Sequence, residues 1–159
     1  MANRVFAWML LFLVVFMPGC AERGPINIDF KGTDSELLAA EHAADDWNKT
    51  CGKTLVRVHK STGDGVPTSG QLGLLEGRHL GTTHCVCGEA QWIIYQSDSK
   101  FSLSQILAHE FGHAILSCSD KDHDFQQLMT ANLNPKLVDK NGDLMPGAIT
   151  QDMCDAALQ

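Results

Sequence analysis

The chain has 159 residues, which is enough for one domain, and its 44% hydrophobic and 19% charged residues are ordinary for a globular protein. This composition excludes a disordered tail, a collagen-like repeat and a long coiled coil. The net charge is −7 and no run of basic residues occurs, so we expect no nucleic-acid partner.

The first twenty residues have the pattern of an export signal. Arg4 precedes an apolar run from Val5 to Met17, and a helix of that length spans only about 20 Å, which is too short to cross a membrane. The run therefore predicts a signal peptide over residues 1–19. The following Met17-Pro18-Gly19-Cys20 resembles the lipid-attachment box of bacterial lipoproteins, which implies that Cys20 becomes the first mature residue and carries a lipid anchor.

Two alternatives stay open for this segment: an ordinary signal cut after Ala21, and a short uncleaved anchor. All three interpretations place residues 20–159 outside the cytoplasm as a single domain. The lipoprotein interpretation implies attachment to a bacterial membrane, the outer one by resemblance, on the periplasmic or the cell-surface side.

Export changes what the cysteines are expected to do. In an oxidising compartment they form disulfides more readily than metal thiolates, and two bridges with one spare thiol leave the pairing open. His84 with Cys85-Val86-Cys87 has metal ligands, but without a second such pair we interpret this segment as a strand carrying a disulfide. Beyond Cys20 the cysteines are Cys51, Cys85, Cys87, Cys118 and Cys154.

The first half of the predicted fold is a strand, a helix and a second strand. Residues 26–30 alternate apolar and polar side chains, as in a half-buried strand. Thr33 and Glu36 form a capping-box pair at the start of a helix, and Gly52 is placed to end it. Leu55–His59 is predicted as the next strand.

The second half adds strands and two helices. Ser61–Gly70 is a loop by composition, and Cys85–Cys87 and Trp92–Tyr95 are candidate strands. A helix is predicted over Leu103–Leu116 and a short one near Thr150–Leu158. This order indicates an α/β or α+β fold with a mixed sheet.

The second helix carries the candidate metal-binding and catalytic residues. It begins at a Ser102–Gln105 capping pair and contains His109-Glu110-Phe111-Gly112-His113, an HExxH motif. Residues four apart share one helix face, so both imidazoles reach one metal ion at about 2.0–2.1 Å. Glu110 lies about 100° around the helix, where it faces a bound water whose pKa the metal lowers toward about 7. It then acts as general base and passes the proton to a leaving amine.

A catalytic zinc needs a third protein ligand and an open fourth position. No Glu follows Glu110 in the sequence, which excludes the HExxH enzymes that take a Glu from a later helix. His123 is the only downstream histidine, and imidazole suits zinc. The acids Asp120, Asp122 and Asp124 stay open as alternatives.

The segment HEFGHAILSCSDKDHDFQQLM resembles the active-site segment of metzincin metallopeptidases, in particular the matrixin-like ones, whose pattern is HExxHxxGxxH followed by a Met-turn. The first two histidines and the glutamate match, His123 is similar to the third ligand, and Met129 is similar to the Met-turn residue. The terminal ITQDMCDAAL is similar to the family's closing helix. The resemblance implies a metzincin-like fold with a mixed twisted sheet, an active-site helix and a small C-terminal subdomain.

Two departures from that pattern lie between the second and third ligands. Leu116 stands where the family has Gly, and nine residues separate His113 from His123 where the family has five. A tight turn off the helix relies on glycine for its backbone angle, so we expect a longer loop, SCSDKDH, to replace it.

The resemblance implies a zinc-dependent endopeptidase. His109, His113 and His123 would hold Zn²⁺, Glu110 would be the catalytic residue, and Met129 would form an apolar floor beneath the metal. The implied partner is a peptide or protein substrate, bound as an added strand at a sheet edge near residues 85–87. Two other classes stay open: an exported zinc-containing binding lipoprotein without peptidase activity, and an exported disulfide-stapled domain in which the motif occurs by chance.

Overall fold

A computed structural model describes residues 24–70, 80–87, 89–96, 100–125 and 127–159. The predicted signal peptide and Cys20 lie outside these residues. The described part is α/β, with one mixed five-stranded sheet and three α-helices, and none of its helices has the length and apolarity to cross a bilayer. In chain order the elements are β1 (Ile26–Lys31), α1 (Asp34–Cys51), β2 (Val56–Lys60), β3 (Val66–Gly70), β4 (Gly81–Val86), β5 (Glu89–Tyr95), α2 (Leu103–Ile115) and α3 (Gln151–Ala157).

The first helix begins and ends where the sequence predicts. The Thr33 hydroxyl accepts from the amide of Glu36 (3.3 Å), and the Glu36 carboxylate accepts from the amide of Thr33 (2.7 Å), which completes the capping box. Gly52 ends the helix in the left-handed conformation (φ 64°). Near that end, Asn48 donates to the Val56 carbonyl (2.8 Å) and so ties α1 to β2.

The sheet has the strand order β2-β1-β3-β5-β4, with β4 antiparallel to β5 and the other neighbours parallel. The prediction of a loop over Ser61–Gly70 is wrong for its second half, because β3 lies in the middle of the sheet. Its Gly, Pro and Ser content is typical of a loop, but pairing with β1 and β5, which are distant in sequence, decides its conformation. The strand predicted at Cys85–Cys87 begins earlier, at Gly81, and ends at Val86.

The two long helices pack against each other and against the sheet. Trp47 of α1 is fully buried, and its indole N–H donates to the carbonyl of Ala108 in α2 (2.8 Å). This hydrogen bond fixes the turn of α2 that immediately precedes the motif. The packing of α1 therefore positions the helix that carries the candidate ligands.

The described residues form two disulfides, as expected for this cysteine content. Cys51 and Cys154 join the end of α1 to α3, and Cys85 and Cys118 join β4 to the segment after α2. Cys87 is the spare thiol and is exposed. Cys85 is in a disulfide and is therefore not available as a thiolate ligand for the metal-binding alternative at residues 84–87.

A buried carboxylate organises the loop after β2. Asp29 accepts hydrogen bonds from the amides of Thr62 and Gly63 and from the Ser61 hydroxyl. Burial raises the pKa of Asp29, but these hydrogen bonds, led by the one from Thr62, and the nearby His59 leave it below its usual value. Ionised Asp29 therefore stabilises the loop.

Candidate metal centre

The candidate site is built on α2, whose start differs from the prediction in one detail. The Ser102 hydroxyl accepts from the amide of Gln105 (3.2 Å), as an N-cap should. The Gln105 side chain does not complete the box but donates to the carbonyl of Asn134 (2.8 Å). This contact ties the helix start to the C-terminal segment.

Three histidine rings converge at the far end of this helix. His109 and His113 lie one turn apart on α2, and His123 lies on a 3₁₀ helix, Asp120–Asp124. The ring centroids are 4.9 Å apart for His109 and His113, 4.7 Å for His113 and His123, and 5.5 Å for His109 and His123. One ligand nitrogen from each ring lies within 4.8 Å of the other two. The structure thus brings together the three histidines that the sequence suggested as ligands.

Hydrogen bonds on the outer nitrogens determine where the rings carry their protons. The Nδ1 atom of His109 lies 2.7 Å from the Leu128 carbonyl oxygen, and Nδ1 of His113 lies 3.2 Å from a carboxylate oxygen of Asp122. Both oxygens are acceptors, so each Nδ1 carries the donated proton. In the neutral rings the Nε2 atoms keep their lone pairs, which is the form that coordinates metals.

The donor set fits a tetrahedral metal such as zinc. Nε2 of His113 and Nε2 of His123 lie 3.0 Å apart, and two nitrogens that share a tetrahedral zinc are about 3.3 Å apart. Burial lowers the pKa of His109 to about 4, so this ring is neutral near pH 7. Within residues 24–70, 80–87, 89–96, 100–125 and 127–159, these three are the only cluster of three or more His, Cys, Asp or Glu ligand atoms close enough to hold an ion.

Glu110 points toward the sheet and is only 4% exposed. The Thr83 hydroxyl on β4 lies 2.7 Å from one carboxylate oxygen of Glu110 and 2.9 Å from its backbone carbonyl. Burial raises the pKa of Glu110 to about 7, while the Thr83 hydrogen bond and the nearby His113 act in the opposite direction. A carboxyl group with such a pKa exchanges a proton readily at neutral pH.

Gly81 allows β4 to approach that carboxyl group closely. A Cβ atom at this position would lie 2.7 Å from the Cγ and Cδ atoms of Glu110. Any larger residue would therefore displace the carboxyl group. A glycine inside a strand often marks such an approach.

Nine residues connect the candidate ligands His113 and His123. Leu116 caps α2, and the positive backbone angle occurs two residues later, at Cys118 (φ 54°), which is held by its disulfide to Cys85. Of the acidic alternatives for the third ligand, Asp122 binds the outer nitrogen of His113, and Asp124 is exposed.

Met129 lies beneath the motif. It is fully buried at the end of a 3₁₀ helix, Gln127–Met129, and a Cβ atom on Gly112 would lie 2.9 Å from its Cε atom. Its neighbour Leu128 supplies the carbonyl that accepts from His109. This short segment therefore supports the α2 histidines both by packing and by a hydrogen bond.

An open cleft of about 910 Å³ runs past the three histidines and Glu110. Residues 81–83 and Cys85 of β4 form one wall, and Cys118 and Ser119 form part of another. The apolar residues of the lining include Leu80, Phe101, Ile106 and Leu133. The cleft is large enough for several residues of an extended peptide.

The sequence did not identify Thr83 and Gly81 as residues of this site. It suggested Asp122 only as a possible ligand, and not as the hydrogen-bond acceptor of His113. Glycine in a strand was the one local signal available; the contacts of Thr83 and Asp122 depend on tertiary structure.

No known protein family, no characterised protein and no solved structure shows significant similarity to the chain.

Proposed function

We propose that the chain is a zinc-dependent endopeptidase of metzincin type. The observation that carries the proposal is the convergence of three imidazoles beside a buried glutamate, at the floor of an open cleft. Two of the rings have acceptors on Nδ1, which leaves Nε2 for coordination. Three protein ligands leave a fourth position for solvent or substrate, as catalytic zinc sites require.

His109, His113 and His123 hold the metal in this proposal. Zinc in such a site supplies Lewis acidity, which lowers the pKa of water toward about 7 and polarises a carbonyl group. Glu110 accepts a proton from the attacking water at a carboxylate oxygen and then donates it to the nitrogen of the departing amine. Burial supports this role, because it brings the pKa of Glu110 to about 7.

The proposed substrate is a peptide in extended conformation. Strand β4 lies at one edge of the sheet as formed by the described strands, and residues 81–83 line the cleft beside Glu110. A peptide that adds to this edge would form main-chain hydrogen bonds and pass in front of the three histidines.

We further propose export and lipid attachment through Cys20. The two disulfides support an oxidising compartment. Labelling with a palmitate analogue should mark the wild-type chain and should not mark a Cys20→Ser variant.

The test of the peptidase proposal combines metal analysis with a peptide-library cleavage assay. The wild-type protein should contain one zinc per chain, and His123→Ala should lose most of it, whereas His42→Ala, at an exposed histidine of α1, should not. Glu110→Gln should keep zinc and lose cleavage by a factor of about 10² to 10⁴. Glu41→Gln, at an exposed glutamate, is the matched control.

Each alternative class has its own result. A wild-type protein that binds zinc and cleaves no peptide would favour the binding lipoprotein. A wild-type protein without zinc would favour a chance motif.

A further inference from the structure

Asp122 is a buried carboxylate at which three hydrogen-bond donors converge. Its side chain is 1% exposed. It accepts from Nδ1 of His113 (3.2 Å), from the amide of Ser119 (3.1 Å) and from the hydroxyl of Ser117. Burial raises the pKa of Asp122, but these donors outweigh that effect and leave it below the usual value. Both carboxylate oxygens thus accept hydrogen bonds, from α2 and from the segment that follows it.

The location of Asp122 connects two candidate ligands. It bonds to the ring of His113 on α2, and it directly precedes His123 within the 3₁₀ helix Asp120–Asp124. The Asp122 side chain therefore orients the ring of His113, and the backbone of Asp122 leads directly to His123. The two Nε2 atoms that result lie 3.0 Å apart.

The fold of the segment after α2 produces this arrangement. After α2 the chain turns at Cys118, and at the start of the 3₁₀ helix the Ser119 amide donates to the Asp122 carboxylate while the Asp122 amide donates to the Ser119 carbonyl. This fold of residues 117–122 returns the Asp122 carboxylate to the outer nitrogen of His113.

We propose that Asp122 is a positioning residue of the metal centre, which holds His113 in the Nδ1–H tautomer with Nε2 directed at the ion. The proposal rests on the metal site of the proposed function. A carboxylate on the outer nitrogen fixes the ring and raises its basicity, and loss of such a partner typically weakens metal binding by about 10- to 100-fold.

The first experiment measures zinc affinity by chelator competition. Asp122→Ala should bind zinc about 10- to 100-fold more weakly than the wild-type protein. Asp122→Asn should have a smaller loss, because its amide oxygen still accepts from His113 and its amide nitrogen can donate to Ser117. Asp124→Asn removes the charge of an exposed carboxylate in the same 3₁₀ helix. This variant is the control and should match the wild type.

The second experiment observes the tautomer in the zinc-free protein, from the ¹⁵N chemical shifts of His113. Wild type and Asp122→Asn should carry the proton on Nδ1, and Asp122→Ala should move toward the Nε2–H form. A general loosening of the fold would not preserve the tautomer selectively in Asp122→Asn. Circular dichroism checks that each variant is folded, and Asp122→Asn still provides the test if Asp122→Ala is not.

Two results would overturn the proposal: equal zinc affinities in Asp122→Ala and Asp124→Asn, or a wild-type His113 protonated on Nε2 in the zinc-free protein. A wild-type chain that binds no zinc would instead refute the metal site itself, and the positioning role with it. A chain that binds zinc but cleaves no peptide would leave the role of Asp122 intact. Failure of the inference and failure of the peptidase activity are therefore distinguishable.

Discussion

Removal of the Cys51–Cys154 bridge should lower mainly the stability of the protein. Removal of the Cys85–Cys118 bridge should lower stability and also weaken the proposed metal site. Cys51 and Cys154 are separated by 103 residues, and Cys85 and Cys118 by 33. Cross-links stabilise chiefly by reducing the entropy of the unfolded chain, by an amount that increases with the logarithm of the loop length. This relation gives about 4.7 kcal/mol for the longer loop and about 3.7 kcal/mol for the shorter one at 25 °C.

Zinc affinity should depend on the two bridges in the opposite order, with the shorter bridge mattering more. Cys118 lies five residues before His123, at the start of the segment that carries Asp122, and its partner Cys85 lies on the cleft-lining strand β4. Removal of this bridge frees the segment on which the third ligand depends. We expect zinc affinity to fall about tenfold or more, whereas loss of the bridge from α1 to α3 should change it little.

The assay compares two paired replacements, Cys51→Ala/Cys154→Ala and Cys85→Ala/Cys118→Ala. Both are made in a Cys87→Ala background, so that the exposed thiol cannot form a new bridge. Urea unfolding gives the free energy of unfolding by linear extrapolation, and chelator competition gives the zinc affinity. A larger stability contribution from the shorter bridge, or a larger fall in zinc affinity in the Cys51/Cys154 variant, would contradict these expectations.

Three further predictions follow from single contacts. Thr83→Val should lower kcat about tenfold or more and leave zinc affinity unchanged, because it removes a hydrogen bond to the Glu110 carboxylate; Thr83→Ser should restore activity. Gly112→Ala should cost about 1–3 kcal/mol of stability, because its Cβ meets Met129, and the cost should shrink when Met129→Ala is already present. The folded pKa of Asp29 lies below its unfolded value, so its contribution is complete above about pH 4 and is lost as pH falls through the folded pKa. Asp29→Asn should therefore be less stable than wild type at pH 7 in urea titrations, and the difference should narrow in acid.

Much of the fold could be predicted from local signals. The capping box at Thr33, the left-handed Gly52 and the apolar stripe between them define α1 within a residue or two. The helix of the motif follows in the same way, and the four-residue spacing of His109 and His113 places both on one face. These features depend on residues within a few positions of one another.

What the sequence does not predict depends on contacts between distant residues. β3 has the composition of a loop, and only its pairing with β1 and β5 makes it a strand. The cysteine pairing follows from the packing of α3 on α1 and of β4 beside α2, which no spacing rule contains. The residue type of Asp122 suits a metal ligand, but the fold of the preceding loop determines that it bonds to the candidate ligand His113 instead.

The long bridge between Cys51 and Cys154 also affects how damage to the chain would be detected. A nick at any peptide bond within the 103-residue separation leaves two pieces that remain covalently joined through sulfur. Non-reducing electrophoresis would therefore show one band of unchanged mass even if one copy had cut another. If the proposed peptidase cleaves its own chain once between these two cysteines, the cut will be visible on a reducing gel or by sequencing of new amino termini.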